Sequence, residues 1–350
     1  MIFKSIIACL DMLGCPNRCK HCWLGHSPNG KLNADDLRYV AAQFRPFTER
    51  LTVDSWYREP DYGDDYKALW ALCEKLSDHY AHLERYDHFE LVSVWRLVRD
   101  ENYAPWIASL GLKAAQLTLF GGRETTDFYT GRKHAYDELL RAIDILIENK
   151  ISPRIQVFVN KQNIGELPLV EKLITDLDLE NRCKAFGGKF AFFLHQGSCD
   201  GENAKLYPLR VTPDDLEKIP KKLEEYTLSH FGGSDISEVF GKTEKALCVK
   251  LISDDSTASY VSDEPVFLVD KDFNVYPNIT CPGKAWLLGN LKTDGAKTVL
   301  ENYIENKSAA QKIRATVPLS RLVRAHGDPE SLRLFSEGDY IEYLVNKFAE

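Results

Sequence analysis

Cys15, Cys19 and Cys22 stand in C-x3-C-x2-C spacing within Gly14-Cys15-Pro16-Asn17-Arg18-Cys19-Lys20-His21-Cys22-Trp23, directly after the apolar run Phe3 to Leu13. Three thiolates this close wrap one loop round one soft metal centre, and thiolate ligands select iron-sulfur clusters or zinc over metals that prefer oxygen. A closed structural zinc site takes a fourth ligand and usually repeats the C-x2-C pair. No second pair occurs in the chain. Three ligands leave one iron of a 4Fe-4S cluster without a protein ligand, and an open position is what a cluster needs to bind a reactant. A zinc-stabilised interaction protein, its site completed by His21 or His26, and an iron-sulfur electron carrier are the readings of other classes that the same cysteines permit.

The elements that must position this loop alternate along the chain. The run Phe3 to Leu13 reads as a strand. Asn33 to Gln43 follows as a helix, with Asn33 as its cap, Asp35 and Asp36 at its positive end, and Leu37, Val40, Ala41 and Phe44 on one face. Arg50 to Ser55 with Tyr66 to Leu76, Phe89 to Leu97 with Ala104 to Leu110, and Ala115 to Phe120 with Tyr136 to Asn149 continue the pattern. Arg154 to Val159 with Gly165 to Leu177, and Lys189 to His195 with Pro213 to Tyr226, complete six strand-helix units. The stretch from Gly121 to Lys133 reads as turn and polar loop. Six units predict an α/β fold with a parallel sheet and right-handed crossovers, curled into a barrel or part of one. Chemistry in such barrels sits at the carboxyl ends of the strands. There the polar Gln156 interrupts Ile155, Val157, Phe158 and Val159, and His195 follows the apolar run Phe190 to Leu194.

The cysteine spacing resembles the signature of the radical S-adenosylmethionine (radical SAM) enzymes, in which the amino and carboxylate groups of S-adenosylmethionine (SAM) chelate the fourth iron. Six units match the partial (β/α)6 barrel of that family. The resemblance implies a 4Fe-4S cluster on Cys15, Cys19 and Cys22, with SAM beside it. Glu59-Pro60 stands where family members carry Gly-Gly-Glu-Pro to receive the SAM amino group, here without the glycines. Thr118 and Arg132 are the implied contacts of the ribose and the SAM carboxylate, since a guanidinium makes a two-pronged pair with a carboxylate. Gln156 and Leu194 are implied at the cofactor, and His195 at the substrate. His21 occupies the position where the family carries Phe or Tyr beside the adenine.

The resemblance divides the chain into a radical SAM barrel over 1–228, a linker over 229–245 and a small α+β extension over 246–350. In the extension, Pro265 to Tyr276 reads as a hairpin, followed by Leu287-Leu288-Gly289-Asn290-Leu291, a helix near Thr298 to Asn306, and a helical stretch from Val317 to Glu350. This resembles the SPASM and twitch extensions of radical SAM enzymes, in which cysteines beside the hairpin hold auxiliary clusters. Here Asn278 follows Pro277, and Cys183, Cys199, Cys248 and Cys281 are scattered. The expectation is a kept scaffold without its auxiliary cluster, which favours a redox-neutral rearrangement or epimerisation, with Cys281 as a candidate hydrogen donor. A peptide-modifying enzyme with an auxiliary cluster is the alternative within the family.

At 350 residues and 44% hydrophobic content the chain has enough length for one large domain and a smaller one. A net charge of -8 argues against a general nucleic-acid or membrane-surface binder. No apolar run approaches the roughly 20 residues of a membrane-spanning helix. An odd count of 9 cysteines fits a reducing compartment and metal binding better than a disulfide framework, so the expected location is the cytoplasm. The chain carries no residues ahead of its first strand for the leader-binding domain of many peptide-modifying relatives. The expected partners are therefore a small molecule or a short peptide as substrate, and a reductant such as flavodoxin or ferredoxin.

Overall fold

A computed structural model describes residues 2–10, 15–23, 32–54, 65–78, 92–198, 200–259, 261–277 and 283–350. Glu59, Asn278, Cys199 and Cys281 lie outside the described residues.

The first half alternates strands β1 (Phe3–Leu10), β2 (Thr48–Asp54), β3 (Ala114–Leu119), β4 (Ser152–Phe158) and β5 (Ala191–His195) with helices. These are α1 (Ala34–Phe44), α2 (Tyr66–Leu76), α3 (Val94–Leu97), α4 (Tyr103–Ser109), α5 (Arg123–Thr130), α6 (Ala135–Glu148), α7 (Leu167–Asp176) and α8 (Leu179–Ala185). After β5 come α9 (Pro213–Leu216), α10 (Lys221–Phe231), α11 (Ile236–Phe240), β6 (Lys242–Thr243) and α12 (Glu244–Leu251). The chain ends with β7 (Val266–Val269), β8 (Asn274–Tyr276), β9 (Gly289–Asn290), α13 (Gly295–Ile304), α14 (Ala309–Thr316), α15 (Leu319–His326), β10 (Leu334–Phe335) and α16 (Glu337–Ala349). No helix among the described residues is long and apolar enough to cross a membrane.

β3, β4 and β5 form one parallel sheet, and β2-β1-β7-β8-β9 form another in which β1 runs parallel to both β2 and β7. The fold is α/β, a partial barrel in which no closed ring of strands forms among the described residues. The expected hairpin is present as β7 and β8, and Asp270 fixes its turn by accepting from the backbone N–H groups of Asp272 and Asn274, both at 2.9 Å. Through β7 the hairpin joins the sheet of β1, so the extension and the first strand share one hydrogen-bonded layer.

Period-two alternation sorts the strand residues. Leu117, Ile155, Val157 and Phe192 pack under Ile143, Leu146, Val170 and Leu223 of the helices. Ile6, Ala8, Leu10, Leu51 and Val53 pack on Leu37, Val40 and Phe44 of α1 and on Leu300 of α13. Cys9, on the opposite face of β1, packs with Leu268, Tyr276 and the C-terminal Leu322, Tyr340 and Leu344.

Several elements depart from the sequence expectation. The strand expected over Phe89 to Leu97 is, over Val94–Leu97, a short helix whose N-terminus is capped by the Ser93 hydroxyl accepting from Arg96 N–H at 3.0 Å. The polar loop after β3 contains the helix α5. The single helix expected over Pro213 to Tyr226 is two, because Pro220 ends the first turn and starts the second helix with extended ψ 138. The segment 229–245 holds α11 and the start of α12.

Candidate active site and cysteine loop

The cysteine loop is fastened on two sides by its backbone. Arg18 N–H donates to Thr130 O at 2.9 Å and Lys20 N–H to Tyr129 O at 2.8 Å. Both acceptors belong to the last turn of α5, whose carbonyls have no partner within the helix. On the other side, Glu202 N–H donates to Cys22 O at 2.8 Å. Within the loop, Cys22 N–H reaches Cys19 O at 3.2 Å, and the Arg18 guanidinium donates to Cys15 O at 2.7 Å and Asn17 O at 2.9 Å. Cys15, Cys19 and Cys22 are all part-exposed.

Beneath the loop, β3, β4 and β5 turn polar side chains to one face. Register pairs Thr118 with Gln156 and Phe158 with His195. Gln156 Nε2 donates to Thr118 Oγ1 at 2.7 Å, and Gln156 Oε1 lies 3.3 Å from His195 Nε2. Gly197 N–H donates to His195 Nδ1 at 3.2 Å. That bond makes Nδ1 an acceptor, which assigns the imidazole proton to Nε2 and makes it the donor to Gln156. The result is a one-directional chain from Gly197 through His195 and Gln156 to Thr118. Burial, then the charges of Arg210 and His230, push the His195 pKa down to about 3, so the ring is neutral near pH 7.

An aromatic column connects loop and sheet. His21 stands 4.0 Å from the Phe158 ring and 4.7 Å from Phe120 by centroids, and Phe158 stands 4.1 Å from His195. His21 is 9% exposed, and its Nδ1 is buried with no hydrogen-bond partner among the described residues. Burial, followed by the neighbouring His195, lowers its pKa to about 3. A cavity of about 10 Å³ beside His21, bordered by Asn160, Gln196, Asn203 and Arg210, has room for about one water.

The structure thus brings together His21, Thr118, Gln156 and His195, and it corrects one expectation, that for Leu194. Leu194 is fully buried and turns to the helix-packed face with Leu117 and Val157, because it alternates with His195 along β5; it is withdrawn from the cofactor contacts. Arg132 is engaged by the protein: its Nε donates to Asn17 Oδ1 at 2.8 Å, and it pairs with Glu138, which Arg99 also binds. Burial works to raise the Glu138 pKa, but Arg99 and Arg132 outweigh it and hold the carboxyl below its usual range. Glu59 and Cys281 lie outside the described residues.

Residues missed in the sequence hold this arrangement. Asn163 Nδ2 donates to Phe120 O at 2.8 Å and Phe158 O at 2.7 Å, tying the ends of β3 and β4. Glu166 accepts from Gly122 N–H at 2.7 Å and from the Thr125 hydroxyl at 2.6 Å, which caps α5. The sequence signal for α5 was Gly131, whose φ of 70 makes it a left-handed helix terminator.

The donor set of the loop has the chemistry of an iron-sulfur site, three thiols on one docked segment. No group of three His, Cys, Asp or Glu side chains placed to hold a metal ion occurs among the described residues. The orphaned His21 Nδ1 beside it is a buried ring nitrogen that a polar group bound there would satisfy.

Residues 10–172 match the family model of the Radical SAM superfamily. The solved structure of native anSMEcpe with bound AdoMet has a TM-score of 0.52 and 15% identity, covering 99% of this chain and 98% of that one. Native anSMEcpe with bound AdoMet and Kp18Cys peptide gives 0.51 at 16%, covering 99% and 98%. At these identities the likeness establishes the fold. The Fe-coproporphyrin III synthase of Methanosarcina barkeri (strain Fusaro / DSM 804) is 30% identical over 84 residues, 24% of this chain and 21% of that relative, so only about a fifth of the relative's length is matched. Residues 10–172, a little under half of the chain, thus match the Radical SAM superfamily, and the whole chain shares its fold with anSMEcpe.

Proposed function

We propose that the chain abstracts a hydrogen atom from a small-molecule or short-peptide substrate at the polar face of β3, β4 and β5. The supporting observation is the aromatic column His21, Phe158, His195, which places that face directly under the cysteine loop. When bound, the reduced cluster and SAM supply a 5'-deoxyadenosyl radical able to take hydrogen from an unactivated carbon. Cys15, Cys19 and Cys22 are the three protein ligands. His21, Phe120 and Phe158 exclude water at the junction of loop and sheet. Thr118 and Gln156 present hydroxyl and amide groups to the cofactor or substrate. His195, neutral and with its proton on Nε2, orients Gln156 and does not serve as an acid near pH 7.

Glu59 is proposed to accept from the SAM ammonium group, and Cys281 to be a hydrogen donor to the substrate radical. A flavodoxin or ferredoxin is the proposed reductant. Both substrate classes have a relative: anSMEcpe was solved with a peptide, and the coproporphyrin III synthase is named for a tetrapyrrole. The SPASM-like reading of the extension rests on the hairpin β7-β8 and on β9 beside it. Cys183, on α8, and Cys248, on α12, are buried in packed cores.

The test is iron per chain and 5'-deoxyadenosine formation with dithionite, in the reconstituted protein and in the Cys15/Cys19/Cys22→Ala triple variant. About four iron atoms and product in the parent, with neither in the variant, is the expected result. A variant that still forms 5'-deoxyadenosine sinks the proposal, and one that keeps about four iron atoms reveals a second cluster.

A further inference from the structure

Arg132 lies at the corner between α5 and α6, which is rigid. Gly131 N–H and Arg132 N–H both return to Asp127 O, at 2.9 and 3.2 Å. The Asp127 carboxylate accepts from His134 N–H at 2.7 Å and Tyr136 N–H at 2.9 Å, closing the first turn of α6. From this corner the Arg132 side chain, 18% exposed, spans Glu138 on α6 and Asn17 in the cysteine loop. Glu138 is in turn shared with Arg99, so one carboxylate orients two guanidinium groups and fixes the direction in which Arg132 Nε points. Asn17 lies between Cys15 and Cys19, and it is the loop side chain this rigid corner grips.

We propose that Arg132 is a positioning residue for the cysteine loop, a latch that acts through Asn17 to hold the segment carrying Cys15, Cys19 and Cys22 docked against the corner of α5 and α6. The consequence for the cluster rests on the reading of this loop as a cluster site, but the latch itself is a property of the metal-free chain. A planar guanidinium directs Nε and a terminal nitrogen to two acceptors at once, which a lysine ammonium on a flexible stem does not reproduce.

The test is the alkylation rate of Cys15, Cys19 and Cys22 by iodoacetamide in the full-length, metal-free chain, read peptide by peptide, with the buried Cys9, Cys73 and Cys183 as internal controls. Asn17→Ala removes only the loop side of the contact and leaves the Arg132–Glu138 pair intact, so it decides the question even if Arg132→Met unfolds. Loop labelling is expected to rise about fivefold in Asn17→Ala, with the control cysteines unchanged, the size of one lost hydrogen bond. Arg132→Met is expected to give the same rise, Arg132→Lys a smaller one, and the Asn17→Ala/Arg132→Met pair no more than either alone. Wild-type labelling in Asn17→Ala, or full multiplication of the two effects in the double variant, overturns the proposal. If the wild-type chain binds no iron on reconstitution, the cluster reading fails while the latch is still decided by the labelling.

Discussion

Gly131 and Arg18 meet backbone to backbone: a Cβ on Gly131 would lie 2.5 Å from Arg18 O. With φ of 70, Gly131 is also in the left-handed region that glycine adopts without penalty. This contact lets the loop bring its N–H groups onto the last turn of α5. Gly131→Ala is therefore expected to destabilise the protein by about 1 to 3 kcal/mol, combining backbone strain with displacement of the loop. Thermal melting and iron uptake check this together. Full iron uptake at the wild-type rate would mean that the loop does not need its seat on α5.

The lowered pKa of His195 has a defined sign in stability. Unfolded, the ring titrates near its ordinary 6.5; folded, it binds its proton only near 3. Between these values the unfolded state holds more protons, so stability rises with pH across the window and is lost as pH falls. The contribution is fully present above about pH 6.5, and its slope is at most about 1.4 kcal/mol per pH unit for one group. His21 adds a contribution of the same sign. Denaturant midpoints at about pH 7.5 and 5 are expected to fall further in the parent than in His195→Gln. Equal losses would show that His195 ionises as readily folded as unfolded.

Gln156 is the joint of the polar face, bonded to Thr118 on one side and His195 on the other. Gln156→Glu is nearly isosteric but places a carboxylate 3.3 Å from His195 Nε2. An opposite charge at that range favours imidazolium, so the His195 pKa is expected to move up by about 1 to 3 units. The same change withdraws the amide N–H from Thr118. Histidine NMR titration reads the shift directly, and an unmoved titration would place the two side chains out of contact in solution.

The parts of the fold legible in the sequence were those with a strong apolar period. Leu37, Val40, Ala41 and Phe44 form the buried face of α1, with Asn33 as its cap, as their spacing implies. Gln156 was visible as a polar break in a buried strand. Leu194 was misassigned because alternation says that neighbours face apart, while only the register of Phe158 with His195 says which of the two faces the site. α5 was missed because its buried face is Thr126, Tyr129 and Thr130, too polar for an apolar period to register. Arg132 and Asn17 are 115 positions apart, and nothing local to either predicts the other.

Glu166 holds the far end of the helix on which the cysteine loop is seated. Its two oxygens accept from Gly122 N–H and Thr125 Oγ1 at the first turn of α5, where a negative charge is also favoured by the helix dipole. Gly121, with φ of 147, admits this approach: a Cβ there would lie 2.3 Å from Glu166 Oε2. Glu166→Ala removes one side-chain cap and is expected to cost about 1 kcal/mol locally, while Glu166→Gln keeps one acceptor oxygen and costs less. Because Tyr129 O and Thr130 O at the other end of α5 receive the loop's N–H groups, fraying should carry over to residues 15–23. Amide hydrogen exchange is the measurement. Faster exchange over 123–130 together with Arg18 and Lys20 is the expected pattern, and faster exchange in α5 with an unchanged loop would show that the loop holds its position without the helix.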